Sequence, residues 1–200
     1  MIEIFDFDGV LVNSLEAHGR FYHDFGRKRG LDIPVDKVYQ AINQPQGHFF
    51  ANLGFPEKLW AGLIKEYTNN FGNYSCPVFS GIPELLSNLR NKKKILGLAT
   101  FNMLPNVERL FGEHLDNFTH ITTQSDARVK SEGLKKIIAK TGLPPKQHRL
   151  IGDTLWDVKD ADDAGVSFVG VGWGWHKLET CSDYFAAKTP QELYGFLMKN

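Results

Sequence analysis

Two aspartates stand two positions apart at the end of the first apolar segment of the sequence. This segment, Ile2–Phe7, has the composition of a buried strand, and Asp6 and Asp8 close it directly before Gly9. Side chains two positions apart on a strand project to the same face, so the two carboxylates are expected to lie together. Paired carboxylates in a mostly buried strand repel each other and lose hydration unless a cation lies between them. The pair therefore predicts a functional site that holds a cation.

Polar side chains also follow the other predicted strands. Thr100 and Asn102 end the second strand, and Lys130 lies in the segment after the third. Asp153 ends the fourth strand, and Asp157 stands one helical turn further on. Ligands of open α/β sheets bind beyond the carboxyl ends of the strands, where all of these residues fall. A hydroxyl, a lysine and four carboxylates at this edge predict a site for Mg²⁺ and a phosphoryl group, because Mg²⁺ prefers carboxylate oxygens and commonly shares a phosphate oxygen.

Each of these residues also has a purely structural interpretation. Thr100 can be a strand-end hydroxyl that caps the next turn. Asp153 can be the N-cap of the following helix, and Asp157 an exposed acid of its first turn that the helix dipole favours. Lys130 is preferred over the lysines that follow it because it precedes the predicted helix instead of lying inside it. A solvated helix face is expected for three further acids, Asp160, Asp162 and Asp163.

The elements that must position these residues alternate between short β-branched runs and longer segments of helical periodicity. This alternation predicts an α/β fold with a doubly wound parallel sheet and crossover helices. The predicted strands are Ile2–Phe7, Lys94–Thr100, Phe118–Thr123, His148–Gly152 and Val166–Val171. The predicted helices are Pro83–Asn91, Asn106–Phe111, Glu132–Lys140, Leu155–Ala164 and Pro190–Met198. Gly165 is the expected C-terminal stop of the fourth helix, because glycine adopts the left-handed conformation without a Cβ penalty.

The interval between the first strand and Phe79 breaks the alternation. It has helical periodicity, no convincing strand and many aromatic residues. We interpret residues 14–77 as a small helical domain, called here the helical insertion, and residues 1–13 and 78–200 as the α/β core. Val10–Asn13 and Pro77–Gly81 are the expected hinge segments between the two.

Composition excludes several classes of partner. Lys and Arg together number 23, as do Asp and Glu, so the formal net charge is zero. No global field attracts nucleic acid or an anionic membrane, and any phosphate site must be local. The two cysteines form no metal motif and are expected to be separate reduced thiols. The first residues lack the pattern of a secretory signal and no run is long enough to span a bilayer, so a cytoplasmic protein is expected.

Three stretches of the sequence and one lysine carry a family resemblance: Asp6-Phe7-Asp8-Gly9-Val10-Leu11-Val12-Asn13-Ser14, Leu98-Ala99-Thr100-Phe101-Asn102, Gly152-Asp153-Thr154-Leu155-Trp156-Asp157, and Lys130. They resemble the haloacid dehalogenase-like hydrolase superfamily across essentially the whole chain. The helical insertion is similar to the C1-type cap of that family. The tail Gly170-Val171-Gly172-Trp173-Gly174, with Gln191-Glu192-Leu193, resembles its phosphoglycolate phosphatase branch.

The resemblance implies a mechanism through an aspartyl-phosphate. Asp6 would be the nucleophile, and Asp8 the general acid and base, whose backbone carbonyl also contacts Mg²⁺. Asp153 would be a further metal ligand, with Asp157 either another ligand or a residue that orients the ligands. Asp8 is absent from the related dehalogenases and replaced in phosphonate hydrolases, so its presence favours C–O–P hydrolysis or phosphoryl transfer. Asn13 departs from the family pattern but removes no chemical group that the reaction needs.

Phosphoryl binding is assigned to residues around the strand ends. By the resemblance, Thr100 would donate a hydrogen bond to the phosphoryl oxygens, and Lys130 would neutralise charge on the nucleophile and the phosphoryl group. Ser131 stands where the family usually has proline. Backbone amides near Gly9 are expected to stabilise the equatorial oxygens, and Asn102 is a further candidate for substrate binding.

The helical insertion is expected to supply residues that close over the substrate. The segment Asn43–His48 has turn composition, so Gln46 and His48 are candidates for substrate binding, against the alternative of an ordinary polar turn. His18 matches a position where related enzymes carry histidine near the leaving group, although an ordinary helix histidine is equally compatible. Trp173 and Trp175 are expected to pack beside the entrance and not to bind a base.

Several functions remain open at this level. The prediction is a Mg²⁺-dependent phosphatase of a small phosphate ester, such as phosphoglycolate or a sugar phosphate, acting as a monomer or weak homodimer. A phosphomutase, a pyrophosphatase or a nucleotidase would use the same groups. Two non-enzymatic alternatives are a phospho-receiver module, which also combines Asp, Thr and Lys on a doubly wound sheet, and a catalytically inactive binding protein.

Overall fold

The computed structural model describes residues 1–42, 49–127 and 129–199. The strands are β1 Ile2–Phe5, β2 Ile95–Ala99, β3 His120–Thr122, β4 His148–Gly152, β5 Ser167–Val171 and β6 Phe185–Ala187. The α-helices are α1 Leu15–Arg27, α2 Val35–Ile42, α3 Phe49–Leu53, α4 Trp60–Asn70, α5 Ile82–Asn91, α6 Leu104–Phe111, α7 Lys130–Thr141, α8 Leu155–Ala164 and α9 Pro190–Lys199. Short 3₁₀ turns cover Glu57–Leu59, Phe71–Asn73, Gly112–Asn117 and Pro145–Gln147.

The strands form one parallel sheet in the order β3-β2-β1-β4-β5-β6. The predicted α/β class with a parallel sheet is confirmed. Strand β6 was not expected, because three residues are too few to show a periodicity. The central strand β1 pairs with β2 and β4, so that Phe5 lies beside Leu98 and Ile151. This register brings the carboxyl ends of three strands, and the polar residues that follow them, to one edge.

Helices cover both faces of the sheet because its central strands are apolar on both sides. Ile2 and Ile4 of β1 belong to a buried cluster with residues of α7 and α8, such as Leu134 and Ala161. Phe5 lies in the second buried cluster, which includes residues of α5 and α9. A fully buried side chain of this size contributes about 1.5–3 kcal/mol to stability. Burial on both faces is what a parallel sheet requires.

The ends of two helices illustrate how local sequence sets the structure. Helix α8 ends at Gly165, whose φ of 72° is left-handed, as predicted. Helix α7 begins at Lys130 and not at the predicted Glu132, so the expectation that Lys130 precedes the helix is wrong. Val129 before it is extended and offers no side-chain cap, so the sequence contains no start signal at that point.

The predicted solvated face of α8 is also wrong for one residue. Asp160 is buried and accepts a hydrogen bond of 3.0 Å from the backbone N–H of Ser131, which joins α8 to the first turn of α7. Asp162 and Asp163 are exposed, as expected. Burial is the main cause that raises the pKa of the Asp160 carboxyl.

The helical insertion leaves and rejoins the sheet through two adjacent segments. The N–H of Asn13 donates to the carbonyl of Pro77 at 2.8 Å, and the N–H of Phe79 donates to the carbonyl of Leu11 at 3.0 Å. One buried apolar cluster extends without a break from β1 to Phe21 and Phe71 of the helical insertion. Across the described residues, each helix falls short of the length and apolarity that crossing a bilayer requires. Both cysteines are free thiols, as expected.

A charged group is buried at the opposite end of β1. Glu3 is fully buried, and its carboxylate oxygens lie 3.6 Å from Lys94 Nζ and 3.6 Å from Arg149 Nη1. Lys94 also donates to the carbonyl of Leu197 at 3.0 Å. Burial raises the pKa of Glu3, against the lowering effect of the two cations. These contacts connect the last turn of α9 to the sheet.

Candidate active site

Asp6 lies at the centre of the polar edge of the sheet. Its N–H donates to the carbonyl of Ile151 at 2.9 Å, which continues the pairing of β1 with β4 by one residue. One carboxylate oxygen, Oδ1, accepts a hydrogen bond of 2.7 Å from the N–H of Phe7. The other, Oδ2, lies 2.8 Å from Nζ of Lys130. The backbone and one buried lysine thus fix both oxygens.

Lys130 connects two of the predicted site residues. It is buried at the start of α7, and its ammonium contacts both Asp6 and Asp157. Burial alone would lower the pKa of Lys130, but the charges of Asp157 and Asp6 outweigh it and the pKa is raised. The ammonium is therefore charged and already shared between two carboxylates.

Asp153 follows β4 and is held in place by backbone groups. Its Oδ2 accepts a hydrogen bond of 2.6 Å from the N–H of Trp175, whereas its Oδ1 is buried without a partner among the described residues. Two glycines pack directly against it: a Cβ at Gly9 would lie 2.1 Å from Oδ2, and a Cβ at Gly174 would lie 2.2 Å from the Asp153 Cβ. Only residues without a side chain fit at these two positions.

Asp157 serves the structure and the site at once. Its Oδ2 accepts hydrogen bonds from Thr154 N–H at 3.0 Å and Thr154 Oγ1 at 2.7 Å, which completes a capping box at the start of α8. The same oxygen accepts the N–H of Asp153 at 3.2 Å. Asp157 is buried and not an exposed first-turn acid. Thr154, and not Asp153, is the N-cap residue.

The charge balance of this group fits a divalent cation. Asp6, Asp153 and Asp157 are buried, and one candidate ligand atom from each lies within 4.8 Å of the others. Burial raises the pKa of Asp6 to about 7, and burial with the charges of Asp157 and Asp6 raises that of Asp153 well above its usual value. Lys130 cannot neutralise three carboxylates. The unpartnered Oδ1 of Asp153 and the all-oxygen donor set suit a hard cation.

Asp8 is not part of this carboxylate group. Strand β1 ends at Phe5, and the chain turns back so that the N–H of Leu11 donates to the carbonyl of Phe7 at 2.9 Å. Strand alternation therefore does not continue to Asp8, although its side chain lines the same cavity as Asp6. Asp8 Oδ2 instead accepts a hydrogen bond of 3.0 Å from Asn102 Nδ2, and its Oδ1 has no partner among the described residues.

The residues that follow β2 organise the other side of the site. Thr100 Oγ1 accepts the N–H of Asn102 at 3.0 Å, so it stabilises a turn and also lines the cavity described below. The Oδ1 of Asn102 accepts Asn106 Nδ2 at 3.2 Å. Asn106 Nδ2 also donates a hydrogen bond of 3.2 Å to the carbonyl of Tyr67. Asn102 therefore positions Asp8, and Asn106 connects this pair to the helical insertion.

Gly9 supports the site through its backbone, and binding of phosphoryl oxygens by the amides near it stays a prediction. Its N–H donates to the carbonyl of Val12 at 2.9 Å and is not free to bind a phosphoryl oxygen. Its φ of 79° is left-handed, which glycine adopts without strain. Its position against Asp153 indicates that this glycine makes room for the carboxylate.

An active-site cavity of about 330 Å³ lies above these groups, between the sheet edge and the helical insertion. Asp6, Asp8, Thr100, Asn102 and Lys130 line its floor. His18 of α1 also lines it, and its Nε2 lies 3.1 Å from the hydroxyl of Tyr67. The candidates Gln46 and His48 lie outside the described residues.

Sequence reasoning missed several residues of this cavity. Gln124, Trp156 and Trp175 line it, and the backbone N–H of Trp175 also holds Asp153. Trp175 was expected to pack beside the entrance, and the structure places it in the lining of the cavity. Backbone donors leave no signal in a sequence. The Trp-Gly-Trp run at positions 173–175 was the one visible sign of this loop.

Comparisons with known proteins agree with this geometry. A model of the haloacid dehalogenase-like hydrolase family matches residues 3–171. A phosphoglycolate phosphatase from Synechococcus elongatus is 25% identical over 95% of this chain and 93% of its own length. A 5'-nucleotidase from Pseudomonas aeruginosa is 28% identical over 86% of this chain and 82% of its own length. The structure of a haloacid dehalogenase-like family hydrolase from Streptococcus pneumoniae superposes with a TM-score of 0.83 at 22% identity, covering 98% of this chain and 97% of that one.

Proposed function

This chain belongs to the haloacid dehalogenase-like hydrolase family, and we propose that it is a Mg²⁺-dependent phosphatase of small organic phosphate monoesters. One observation carries the proposal. A buried carboxylate, Asp6, lies on the floor of a cavity beside the charged Lys130 and close to Asp153, whose Oδ1 has no partner among the described residues. This arrangement combines a nucleophile with groups that neutralise a phosphoryl anion.

Asp6 is the proposed nucleophile. Its oxygens are fixed before substrate binds, so attack on phosphorus requires little reorganisation. The new bond joins a carboxylate oxygen to phosphorus, the ester P–O bond breaks, and an aspartyl-phosphate forms. The charged Lys130 next to Asp6 stabilises the negative charge of the transferring group. The hydroxyl of Thr100 faces the same space and would donate a hydrogen bond to a phosphoryl oxygen.

Asp8 is the proposed proton carrier. Asn102 holds one of its oxygens, and the other has no partner among the described residues. In the first step Asp8 gives a proton to the leaving alcohol oxygen. In the second step it takes a proton from the water that attacks the aspartyl-phosphate and releases inorganic phosphate. Such assistance contributes about 10²–10⁴-fold to the rate.

The proposed metal ligands are Asp6 and Asp153, with Asp157 beside them. One oxygen of Asp157 accepts hydrogen bonds from the N-cap of α8 and the other contacts Lys130, so we propose that Asp157 mainly orients the other two carboxylates. The backbone carbonyl of Asp8 stays a predicted ligand. When bound, Mg²⁺ would neutralise the carboxylates and polarise a phosphoryl oxygen.

The helical insertion, residues 14–77, is the proposed cap that excludes water from the cavity. The two hydrogen-bonded segments that connect it to the sheet, and its residues in the cavity lining, support this assignment. Gln46 and His48 stay predicted substrate-binding residues. His18 lines the cavity, which supports its predicted place near the alcohol part of the substrate.

A phosphomutase would differ only in the acceptor of the phosphoryl group. A mutase must also hold the second phosphate of a bisphosphate, which calls for further cations. Among the described residues that line the cavity, Lys130 is the one lysine or arginine, and its ammonium already pairs with two carboxylates. The lining therefore favours water as the acceptor.

The test is phosphate release from a panel of monoesters and acetyl phosphate with and without Mg²⁺. We expect Mg²⁺-dependent turnover by the wild type and none by Asp6→Asn, because an amide does not attack phosphorus. Asp162→Asn, the same change at an exposed position, should retain full activity. Hydrolysis by purified Asp6→Asn at the wild-type rate would exclude this nucleophile. A wild type inactive on every compound would contradict the phosphatase proposal.

A further inference from the structure

The upper part of the active-site cavity is built from aromatic side chains. Among the described residues, eight aromatic side chains line the cavity: Tyr22, Phe49, Phe50, Trp60, Tyr67, Phe101, Trp156 and Trp175. We propose, on the basis of the phosphatase function above, that the enzyme selects monoesters whose alcohol part carries an uncharged aromatic ring with hydrogen-bond acceptors. Nucleoside monophosphates have this chemistry, whereas phosphoglycolate and bisphosphates do not.

The charges of the cavity disfavour a second anionic group on the substrate. Lys130 is the one lysine or arginine among the described lining residues, and it contacts Asp6 and Asp157. Asp8 adds a further carboxylate to the lining. A carboxylate or second phosphate in the upper cavity would lose its hydration without gaining a cation from the lining residues that the structure describes, which is costly.

The histidine of the helical insertion does not supply the missing charge. His18 Nδ1 lies 2.9 Å from the carbonyl of Ser14, so this nitrogen donates, and its Nε2 then accepts from the hydroxyl of Tyr67 at 3.1 Å. Both ring nitrogens are occupied in the neutral form. Burial also lowers the pKa of His18.

Two indole N–H groups of the cavity point to a polar feature of the ligand. Trp156 and Trp175 line the cavity, and the Nε1 of each is buried without an acceptor among the described residues. By contrast, Trp60 Nε1 donates to the carbonyl of Phe55 at 2.9 Å, and Trp173 Nε1 donates to that of Val10 at 3.1 Å. Each N–H is shielded from the empty cavity, so each indole must turn before it can donate to a substrate. Because buried donors normally have partners, we infer that such a turn meets a hydrogen-bond acceptor on the bound substrate.

The rings provide a surface on which a flat group can pack. Tyr22 and Tyr67 stack with an interplanar angle of 11° and a centroid separation of 6.2 Å. Phe50 meets Trp60 edge to face at 6.1 Å, and both side chains are half-buried. A volume of about 330 Å³ is at the small end of the range for ligand sites. It suits one ring system with its phosphoryl group.

The experiment compares substrates that differ only in the ring. Values of kcat/KM with Mg²⁺ are measured for adenosine 5′-monophosphate, uridine 5′-monophosphate, ribose 5-phosphate and phosphoglycolate. A second pair, benzyl phosphate and cyclohexylmethyl phosphate, separates ring packing from acceptor binding. We expect each nucleotide to exceed ribose 5-phosphate by about tenfold or more, the scale of base–aromatic stacking. Phosphoglycolate should be the poorest substrate.

Tryptophan variants test the indole donors. Trp156→Phe and Trp175→Phe keep a ring but remove the N–H, and each should lower the ratio of nucleotide to ribose 5-phosphate about five- to tenfold. The ratio for benzyl over cyclohexylmethyl phosphate should change less, because benzyl has no acceptor on its ring. Trp173→Phe is the matched control, since its N–H is already partnered outside the cavity, and it should leave both ratios unchanged.

Binding gives a readout that does not depend on turnover. Asp6→Asn with Mg²⁺ is titrated with adenosine 5′-monophosphate and with phosphoglycolate, and the tryptophan fluorescence is followed. We expect at least tenfold tighter binding of the nucleotide. Preferred binding or hydrolysis of phosphoglycolate would overturn this inference and leave the phosphatase proposal standing. The same conclusion would follow if Trp156→Phe and Trp175→Phe left the ratio of nucleotide to ribose 5-phosphate unchanged. Nucleotide binding without turnover of any ester would overturn the phosphatase proposal alone.

Discussion

Replacing Gly174 by alanine should weaken Mg²⁺ binding without touching a metal ligand. The new Cβ would lie 2.2 Å from the Cβ of Asp153 and 2.4 Å from its Oδ2. Ordinary contacts begin near 3.4 Å, so Asp153 or the loop before Trp175 must move by more than an ångström. The movement would break or lengthen the hydrogen bond of 2.6 Å between Trp175 N–H and Asp153 Oδ2.

The size of the effect follows from these contacts. Loss of the partner that orients a metal ligand typically costs about 10–100-fold in metal affinity. Misplacement of a reacting group by about 1 Å can cost about 10²-fold in rate. We therefore expect the Mg²⁺ concentration for half-maximal activity to rise about 10–100-fold. Stability should fall by about 1–3 kcal/mol, as in other overpacked sites.

The assay follows Mg²⁺ binding by calorimetry and acetyl phosphate hydrolysis over a Mg²⁺ series. Gly195→Ala is the matched control, because a Cβ there meets nothing within 4 Å. It should keep the wild-type Mg²⁺ dependence. A folded Gly174→Ala protein with unchanged Mg²⁺ affinity would refute the argument that the position of Asp153 sets the metal site.

Three further changes test other contacts. Lys130→Met leaves buried carboxylates unpaired, so urea titrations without Mg²⁺ should show a free energy of unfolding about 3–5 kcal/mol lower than that of the wild type. Lys135→Met, the same change at an exposed position, should have little effect. An equal loss in both variants would contradict the pairing of Lys130 with the carboxylates. Burial raises the pKa of Glu3, so the folded state binds its proton more tightly than the unfolded state. The stability of the wild type relative to Glu3→Gln should therefore increase as pH falls from 8 through the raised pKa, and a decrease would refute this sign. Asn106→Ala removes the bonds to Asn102 and the helical insertion, and a thermal melt should show a loss of about 1–3 kcal/mol.

The parts predicted well from the sequence are those where local chemistry changes abruptly. Asp6 and Asp153 follow apolar runs at the ends of β1 and β4, and parallel pairing brings such ends to one edge. Their closeness is a consequence of the fold class, which alternation of the segments predicts. Gly165 was predicted for a similar reason, because a helix that ends in a left-handed residue favours glycine.

The parts not predicted depend on distant contacts. Asp160 belongs to an acidic run that resembles a solvated face, and only the packing of α8 against α7 buries it. The side chain of Asp8 lies outside the group formed by Asp6, Asp153 and Asp157, and the chain turns after Phe5, which strand periodicity does not report. The aromatic residues of the helical insertion were evident, but their meeting above the sheet edge requires the relative placement of α1, α3 and α4.

The ring of Phe71 contributes both to the buried core and to the wall behind the active-site cavity. It is fully buried, lies 4.4 Å from the ring of His18 at the cavity and stacks 4.6 Å from Tyr67. A substitution of Phe71 that changes the shape of the active-site cavity therefore also removes packing from the hydrophobic core. Phe50 and Trp60 are half-buried and carry less of that support. Natural divergence in substrate preference should therefore accumulate at such peripheral rings, while Phe71 stays aromatic.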